Sequence, residues 1–282
     1  MELPLYFTIG KTFFENYDNF SSQYIEILKE TNVDVGTIRF VKRLTTKLRE
    51  TVEKYLNGEV ESAFTLFKKA MKLLEENPMI LPIKTIEERT FYRMRAEDGI
   101  TDEKEFYHVP FDKSYLSRNE RFSIDGYPCL YLGYSKRVCE IEVTSGTLAK
   151  FTLKEPIKRI LDLTLGQGEG KKDISEIQLV KVFPLIASCY IVPFYSTLQK
   201  KECRPDKSFF HEEYIIPQLL TQYLKEEGIA NGIIYYSVKD PNLKPYVKSE
   251  EDFRNLVLFT NRDINTGEKY DNELIGKFEI TL

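Results

Sequence analysis

The N-terminal part of the chain, up to about residue 76, carries apolar side chains with the spacing of α-helices. They recur three and four positions apart in two stretches: Ile38, Val41, Leu44, Leu48, Val52 and Tyr55, then Val60, Ala63, Phe64, Phe67, Ala70, Met71 and Leu74. This spacing puts them on one face of each helix. Phe13, Phe14, Tyr17 and Phe20 indicate an earlier helix, and Asn57-Gly58 is a typical helix end. We therefore predict a small N-terminal helical bundle.

Two proline pairs, Asn77-Pro78 and Leu81-Pro82, interrupt this pattern. The residue before a proline is pushed out of the helical region, so the helices are expected to stop here. We predict a domain boundary near residue 85, with a helical domain at 1–85 and a second domain at 86–282.

Beyond residue 85 the apolar residues come in short, β-prone runs. These predict strands at 129–132, 160–163, 179–183, 233–238 and 256–259. Residues 212–227 have the pattern of an amphipathic helix, and Ile275, Phe278 and Ile280 indicate a last edge strand in an otherwise polar tail. Because strands outnumber helices, the prediction is a sheet-centred α+β domain rather than a doubly wound one.

Composition narrows the functional classes. A chain of 282 residues with 42% hydrophobic and 30% charged residues is ordinary for a globular protein of about two domains. Its net charge of −4 provides no general field for nucleic acid or an anionic membrane. Apolar runs stay well short of the ~20 residues that span a bilayer, and the N-terminus lacks a signal pattern. We expect a cytoplasmic protein without nucleic-acid or membrane contacts.

Cysteine and histidine usage bounds the chemistry further. The four cysteines show no CxxC spacing: Cys129, Cys139, Cys189 and Cys203. The only histidines are His108 and His211. The sequence therefore predicts neither a metal site nor a disulfide framework, which fits a reducing cytosol.

Two arginines are candidates for binding an anionic ligand. Arg93 lies in an alternating segment, residues 91–95, that fits a strand with Arg93 and Arg95 on one face. Arg121 opens residues 121–142, which read RFSIDGYPCLYLGYSKRVCEIE. A planar guanidinium bonds two phosphate oxygens at once and so suits a pyrophosphate. Any single arginine is more often a surface residue, so the interpretation depends on several groups converging.

Tyr131 lies between Leu130 and Leu132 in a predicted strand. Successive strand side chains point to opposite faces, so Tyr131 faces away from the core if the leucines face into it. Its ring is then available to stack on a flat ligand or to pack beneath a helix. The sequence leaves both alternatives open.

Glu140 and Glu142 end the same segment. On a strand both carboxylates would share a face, as arginine-modifying transferases require. On a helix of ~3.6 residues per turn they lie about 200° apart and cannot share a site. Ser135 is a natural N-cap, which favours a helix with one functional glutamate.

Ser237 ends the apolar run at 232–237. A hydroxyl at the end of a buried strand is well placed to donate to a phosphate, although a serine also suits a turn. Neither histidine has an evident relation to Ser237, so a Ser-His-Asp hydrolase is not indicated.

Taken together, residues 90–259 resemble a RES domain, the family of bacterial NAD-consuming toxins named for its Arg, Glu and Ser. Five family elements occur in order. They are Tyr92-Arg93; Arg121-Phe122 with Gly126; Leu130-Tyr131 with Ser135; the glutamate ten intervening residues after that tyrosine, Glu142; and Gln218, Asn231-Gly232-Ile233, Ser237 with residues 255–259. The sequence departs from the family at Asn231, where Asp is common, and at Tyr236, where Pro is frequent.

The resemblance implies a fold similar to ADP-ribosyltransferases, a bent and split sheet with NAD in a cleft. Family members degrade NAD at the nicotinamide-ribose bond by phosphorolysis or hydrolysis, so inorganic phosphate is a potential co-substrate. Many are neutralised by a separate antitoxin protein. The resemblance assigns catalytic roles to Glu142, Arg93 and Tyr131, and NAD binding to Arg93, Arg121, Tyr131 and Ser237.

Two alternatives remain open. An ADP-ribosyltransferase would move the same ADP-ribose group onto a cellular macromolecule. A non-catalytic protein would instead work through interactions of its helical domain. A HEPN-type ribonuclease in that domain is discounted, because it needs a histidine and residues 1–90 contain none.

Overall fold

A computed structural model describes residues 12–75, 81–87, 89–117, 119–164, 176–193, 210–239 and 253–282. The pair Asn77-Pro78 and Cys203 lie outside the described residues. The α-helices are α1 Phe13–Glu30, α2 Val35–Leu56, α3 Val60–Glu75, α4 Lys136–Glu142, α5 Glu176–Cys189, α6 Ile215–Glu226 and α7 Asn272–Gly276. The strands are β1 Ile83–Ile86, β2 Thr90–Arg95, β3 Cys129–Gly133, β4 Thr147–Leu153, β5 Ile157–Asp162, β6 Gly232–Tyr236, β7 Arg254–Phe259 and β8 Phe278–Thr281.

The three predicted N-terminal helices are confirmed as α1, α2 and α3. The Thr12 hydroxyl caps α1 by accepting from the Glu15 amide, and the Asp34 carboxylate caps α2 by accepting from Thr37. Helix α2 ends at Asn57, and Gly58 follows with φ +81°, a left-handed conformation that glycine adopts without strain. The helical pattern therefore ends where the sequence predicted.

The strand predicted at 179–183 is wrong, because these residues lie in helix α5. From Val180 onward the side chains are buried except that of Lys181, and they include Val182, Phe183 and Leu185. Phe183 packs against Tyr24 of α1 with ring centroids 4.8 Å apart, and the Tyr24 hydroxyl donates to the Val180 carbonyl. A helix that is apolar on all sides has no periodic signature, so a short window of it cannot be told from a buried strand.

The described residues form two compact units. One contains residues 12–75, 81–82, 176–193 and 210–220, and the other contains 83–87, 89–117, 119–164, 221–239 and 253–282. This grouping differs from the predicted ranges 1–85 and 86–282, because α5 and the first half of α6 join the N-terminal helices. The contacts of α5 with α1 and α2 account for the difference.

The second unit is built on an eight-stranded sheet in the order β1-β5-β6-β7-β3-β2-β4-β8. Only the β5–β6 pair is parallel among these strands. Strand β2 meets β3 through a single residue pair, Tyr92 with Gly133, so the sheet nearly separates at this point. The predicted α+β class with a bent, split sheet is confirmed.

Most predicted strands appear in this sheet, and β8 is an edge strand as expected. The core of the unit lies on one sheet face, where the side chains of Leu130, Leu132, Leu256, Leu258 and Ile234 are buried together. Strand alternation places Tyr131 on the opposite face. That face carries the candidate site.

None of the described helices combines the length and the apolar character needed to cross a membrane.

Candidate functional site

Glu142 is the last residue of the short helix α4. The helix begins at Ser135, whose hydroxyl accepts a hydrogen bond from the Val138 amide at 3.2 Å, as predicted. Glu140 is exposed and pairs with Arg137 at 3.5 Å. The Glu142 side chain turns toward the sheet and keeps 29% of its surface exposed. The helical arrangement therefore separates the two carboxylates and directs Glu142, not Glu140, toward the sheet.

Gly133 allows α4 to lie close to the sheet. A Cβ atom at this position would lie 2.5 Å from Val138 Cγ1 and 2.7 Å from Cys139 Sγ. A larger residue would require these side chains or α4 itself to shift. The short distance between this helix and the strand is what brings Glu142 over the ends of β6 and β7.

Among the residues that the structure describes, three side chains bind the Glu142 carboxylate, and we call this group the Glu142 site. The Ser237 hydroxyl donates to Oε1 at 2.7 Å, and Asn255 Nδ2 donates to the same oxygen at 3.3 Å. Lys239 Nζ lies 3.0 Å from Oε2 and donates to the Glu142 backbone carbonyl at 3.0 Å. Ser237, which the sequence analysis assigned to a phosphate, is thus bonded to the catalytic candidate itself.

Arg121 is hydrogen-bonded to the end of strand β6, close to Ser237. Its Nη1 donates to the Tyr236 carbonyl at 3.0 Å, one residue before Ser237, and its guanidinium lies over the Tyr235 ring at 5.1 Å from the centroid. The side chain is buried, and within the described residues its Nε has no hydrogen-bond partner. A buried donor without a partner is costly, because its desolvation is not compensated by a hydrogen bond.

Arg93 has a second unpartnered nitrogen. Its Nη1 is buried and has no hydrogen-bond partner among the residues described. Burial and the neighbouring charge of Arg95 lower the pKa of Arg93 well below its ordinary value. Arg95 itself has a structural role, because it donates to the carbonyls of Glu105 and Tyr107 at 2.7 and 2.9 Å.

The Cys139 thiol on helix α4 is buried. Burial raises the pKa of Cys139 to about 12; the charge of Glu142 raises it further and that of Arg93 opposes the rise. In the pairing of β2 with β4, Arg93 lies next to Ala149, and its side chain points to the sheet face opposite that of its neighbour Tyr92. Within the described part of the chain, no hydrogen bond joins Arg93 to Glu142 or Arg121.

Tyr131 shares a sheet face with the partners of Glu142. It lies opposite Val257 in the β3–β7 ladder, and Asn255 is two residues from Val257 on the same face. The Tyr131 hydroxyl lies 2.7 Å from the Ser123 hydroxyl. Burial raises the pKa of Tyr131 well above its ordinary value, so this group stays protonated. Stacking of its ring on a ligand stays a prediction.

The sequence analysis missed Asn255 and Lys239. Asn255 begins a buried apolar run, and Lys239 is two residues after Ser237. The sequence gives little indication that these two residues lie near Glu142. Their position depends on the pairing of β7 with both β3 and β6, which cannot be read from the order of the strands along the chain.

The described residues include no group of three or more His, Cys, Asp or Glu side chains that could hold a metal ion.

Comparison with known proteins adds one clear relative. The Bacillus subtilis (strain 168) protein named "Putative toxin YopC" is 29% identical over 311 aligned residues, which cover 99% of this chain and 67% of that protein. No protein-family model matches the chain, so the likeness to the RES domain remains a resemblance.

Among solved structures, the toxin–antitoxin complex MbcT–MbcA of M. tuberculosis gives a TM-score of 0.34 at 10% identity. The match covers 71% of this chain and 85% of that one. At this score the likeness is too distant to bear on fold or function.

Proposed function

We propose that this protein is a toxin that degrades NAD by cleaving the bond between nicotinamide and ribose. The observation that carries the proposal is the hydrogen bond between the Glu142 carboxylate and the Ser237 hydroxyl, 2.7 Å long, at the strand end to which Arg121 is also bound. Arg, Glu and Ser are the residue types for which the resembled RES family is named.

The unpartnered guanidinium nitrogens support an anionic ligand. Arg93 Nη1 and Arg121 Nε are both buried and, in the described part of the chain, lack hydrogen-bond partners. Phosphate oxygens would satisfy both, since charge-assisted bonds from arginine to phosphate are strong. The proposal assigns the two phosphates of NAD to these arginines and the nicotinamide ribose to the neighbourhood of Glu142 and Tyr131.

The proposed chemistry needs little beyond binding and electrostatics. The bond between ribose C1′ and the nicotinamide nitrogen breaks, and both electrons leave with neutral nicotinamide. The Glu142 carboxylate stabilises the positive charge that develops on the ribose, and it accepts a hydrogen bond from a ribose hydroxyl that strengthens in the transition state. A water or phosphate oxygen then bonds to C1′, and with water a proton is released.

The toxin part of the proposal is supported by the named Bacillus subtilis relative, to which 99% of this chain aligns. The RES resemblance adds that such enzymes act in toxin–antitoxin pairs. We therefore propose a separate antitoxin protein that restrains the activity, and the cytoplasm as the place where the toxin acts.

The test is a nicotinamide-release assay on the purified protein with NAD, run with and without inorganic phosphate. Release under either condition supports the proposal, and mass spectrometry of the second product distinguishes ADP-ribose from its phosphate ester. Absence of release under both conditions would overturn it.

ADP-ribose transfer to a macromolecule is the alternative outcome. The assay is therefore repeated in a cell lysate, and proteins and nucleic acids are searched for attached ADP-ribose. Transfer to arginine is disfavoured, because Glu140 is exposed, pairs with Arg137 and lies apart from Glu142.

A further inference from the structure

We infer that the two oxygens of the Glu142 carboxylate have different tasks and that Asn255 is a positioning residue for the reaction. Oε1 is fixed to the sheet by Ser237 and Asn255, whereas Oε2 is the oxygen that receives the ligand and is occupied by Lys239 until the ligand arrives. This inference rests on the proposed NAD cleavage at the same site.

One donor to Oε1 lies in the sheet, and the other directly follows a strand. Asn255 belongs to β7 and lies between Gly133 of β3 and Tyr235 of β6 in the ladder. The Ser237 amide donates to the Phe253 carbonyl at 3.2 Å. Both donor side chains are buried. A donor in β7 and a donor directly after its partner strand β6 hold Oε1 in one place and thereby fix the plane of the carboxylate.

The donor to Oε2 is of another kind. The Lys239 side chain is 55% exposed and lies beyond the end of β6. Exposed ion pairs contribute little to stability, so an incoming hydroxyl group displaces this ammonium more easily than the buried donors. Lys239 also donates to the Glu142 backbone carbonyl and can keep this contact.

The proposed chemistry explains why the two oxygens of Glu142 would have different tasks. A carboxylate that stabilises a developing cation must be oriented beforehand and must keep its negative charge. The neutral amide of Asn255 and the hydroxyl of Ser237 orient Glu142 without neutralising it. The Lys239 ammonium would weaken that charge if it stayed on Oε2, so its departure belongs to productive binding.

The first experiment replaces Asn255 with a side chain of similar size that cannot donate, Asn255→Leu. We expect kcat for nicotinamide release to fall by about 10- to 100-fold with KM changed by less than about twofold, because the carboxylate is misplaced and the binding groups are intact. The matched control is Thr260→Val, which removes a buried hydrogen bond to Pro128 just past the other end of β7. Near wild-type kcat in Asn255→Leu, or an equal loss in Thr260→Val, would overturn the inference.

The second experiment removes the ammonium with Lys239→Met. Because NAD no longer has to displace an exposed ion pair, we expect KM to fall by about two- to fivefold with kcat maintained or raised. Lys150→Met, which removes an exposed lysine from β4, serves as the control for net charge. A tenfold loss of kcat, or an unchanged or higher KM, in Lys239→Met would show that Lys239 is not a displaceable occupant.

A third measurement separates this inference from the proposed function. If the wild-type protein releases no nicotinamide, the function fails, and the Asn255–Glu142 contact is then tested by urea unfolding of Asn255→Leu, Glu142→Ala and the double variant, because each single change removes one partner of the hydrogen bond. Residues that share a hydrogen bond give non-additive changes in unfolding free energy. Additive changes would overturn the positioning role whatever the activity.

Discussion

At the scale of single residues, the family spacing and the geometry of helix α4 both favour Glu142 over Glu140 as the functional glutamate. The resemblance expects the catalytic glutamate after ten intervening residues from Tyr131, which is Glu142, and the α4 geometry turns Glu142, not Glu140, toward the sheet. The spacing between Tyr131 and Glu142 can be used in this way because both residues belong to one short strand-turn-helix segment, whose geometry depends on neighbouring residues. Asn255 and Lys239 were missed because their contact with Glu142 joins residues about a hundred positions apart.

The first prediction concerns the charge of Glu142. Glu142→Gln keeps an oxygen for Ser237 and Asn255 but removes the negative charge, so the fold and NAD binding should remain while kcat falls by about 10²- to 10³-fold. Turnover is measured by nicotinamide release and binding by calorimetry. Glu140→Gln, which changes an exposed carboxylate on the same helix, should behave as wild type. Near wild-type cleavage by Glu142→Gln would remove this residue from the mechanism.

The second prediction concerns Arg121. Arg121→Lys retains a charge but has only one nitrogen, which cannot reach both the Tyr236 carbonyl and a phosphate. We expect KM for NAD to rise about tenfold or more with a smaller change in kcat. Isothermal titration with ADP-ribose, which lacks nicotinamide but keeps both phosphates, should show the same loss of affinity. Unchanged affinity in this titration would argue against phosphate binding by Arg121.

The third prediction concerns His108, a buried residue outside the site. Its Nδ1–H donates to the Val109 carbonyl at 2.8 Å and its Nε2 accepts from the Asp271 amide at 2.9 Å, an arrangement that requires a neutral ring. Burial lowers the pKa of His108, so the unfolded chain binds the proton more readily than the folded protein. Stability should therefore be fully present above the unfolded value of about 6.5 and decline as the pH falls through it.

Urea unfolding at pH 8, 7, 6 and 5.5 measures this dependence. The variant His108→Gln, which has a donor and an acceptor but does not titrate, should be less stable at pH 8 and show a flatter profile over the same range. An equally steep profile in His108→Gln would assign the pH dependence to other groups.

At the scale of elements, α4 shows why a short helix can be decisive. It was predicted from the N-cap Ser135 and the strand before it, and both features are local. Helix α5 was mistaken for a strand, because its residues from Val182 to Cys189 are buried without a helical period and their burial comes from partners distant in sequence. Local signals thus predicted α4, and only tertiary packing defines α5.

The fourth prediction follows from the close packing of α4 on β3. In Gly133→Ala the new methyl group would lie 2.5 Å from Val138 and 2.7 Å from Cys139, so α4 must move and take Glu142 with it. Overpacking of this kind costs about 1–3 kcal/mol of stability. A displacement near 1 Å is expected to lower kcat by about 10²-fold. Nicotinamide release and thermal unfolding check the two effects.

The control for this variant is Gly276→Ala. Gly276 ends α7, and an added Cβ would meet no atom within 4 Å, so both activity and stability should stay close to wild type. A Gly133→Ala protein that is destabilised but fully active would show that the position of Glu142 does not depend on this contact.

At the scale of the whole molecule, the α+β class and the N-terminal helices followed from periodicity, whereas the grouping of segments did not. The contact units separate residues 210–220 from 221–239, although both belong to the same predicted second domain. Strands β1 and β4 were also not predicted. Strand β1 has only four residues and follows Pro82, and β4 mixes polar and apolar residues, so neither has a clear strand pattern in the sequence. Their partners in the sheet, β5 and β2, supply what the sequence pattern lacks.

The fifth prediction joins the site to the behaviour of the whole protein in a cell. If it degrades NAD as proposed, controlled production of the chain in a bacterial host should lower the cellular NAD content before growth stops, because the enzyme acts on a pool that the cell must continually renew. Production of Glu142→Gln at the same level should leave both NAD and growth unchanged, while Glu140→Gln should be as toxic as wild type. NAD is measured in extracts taken at intervals after induction. Growth arrest by Glu142→Gln, or arrest by the wild type without loss of NAD, would place the toxicity outside the Glu142 site and direct attention to interactions of the helical unit.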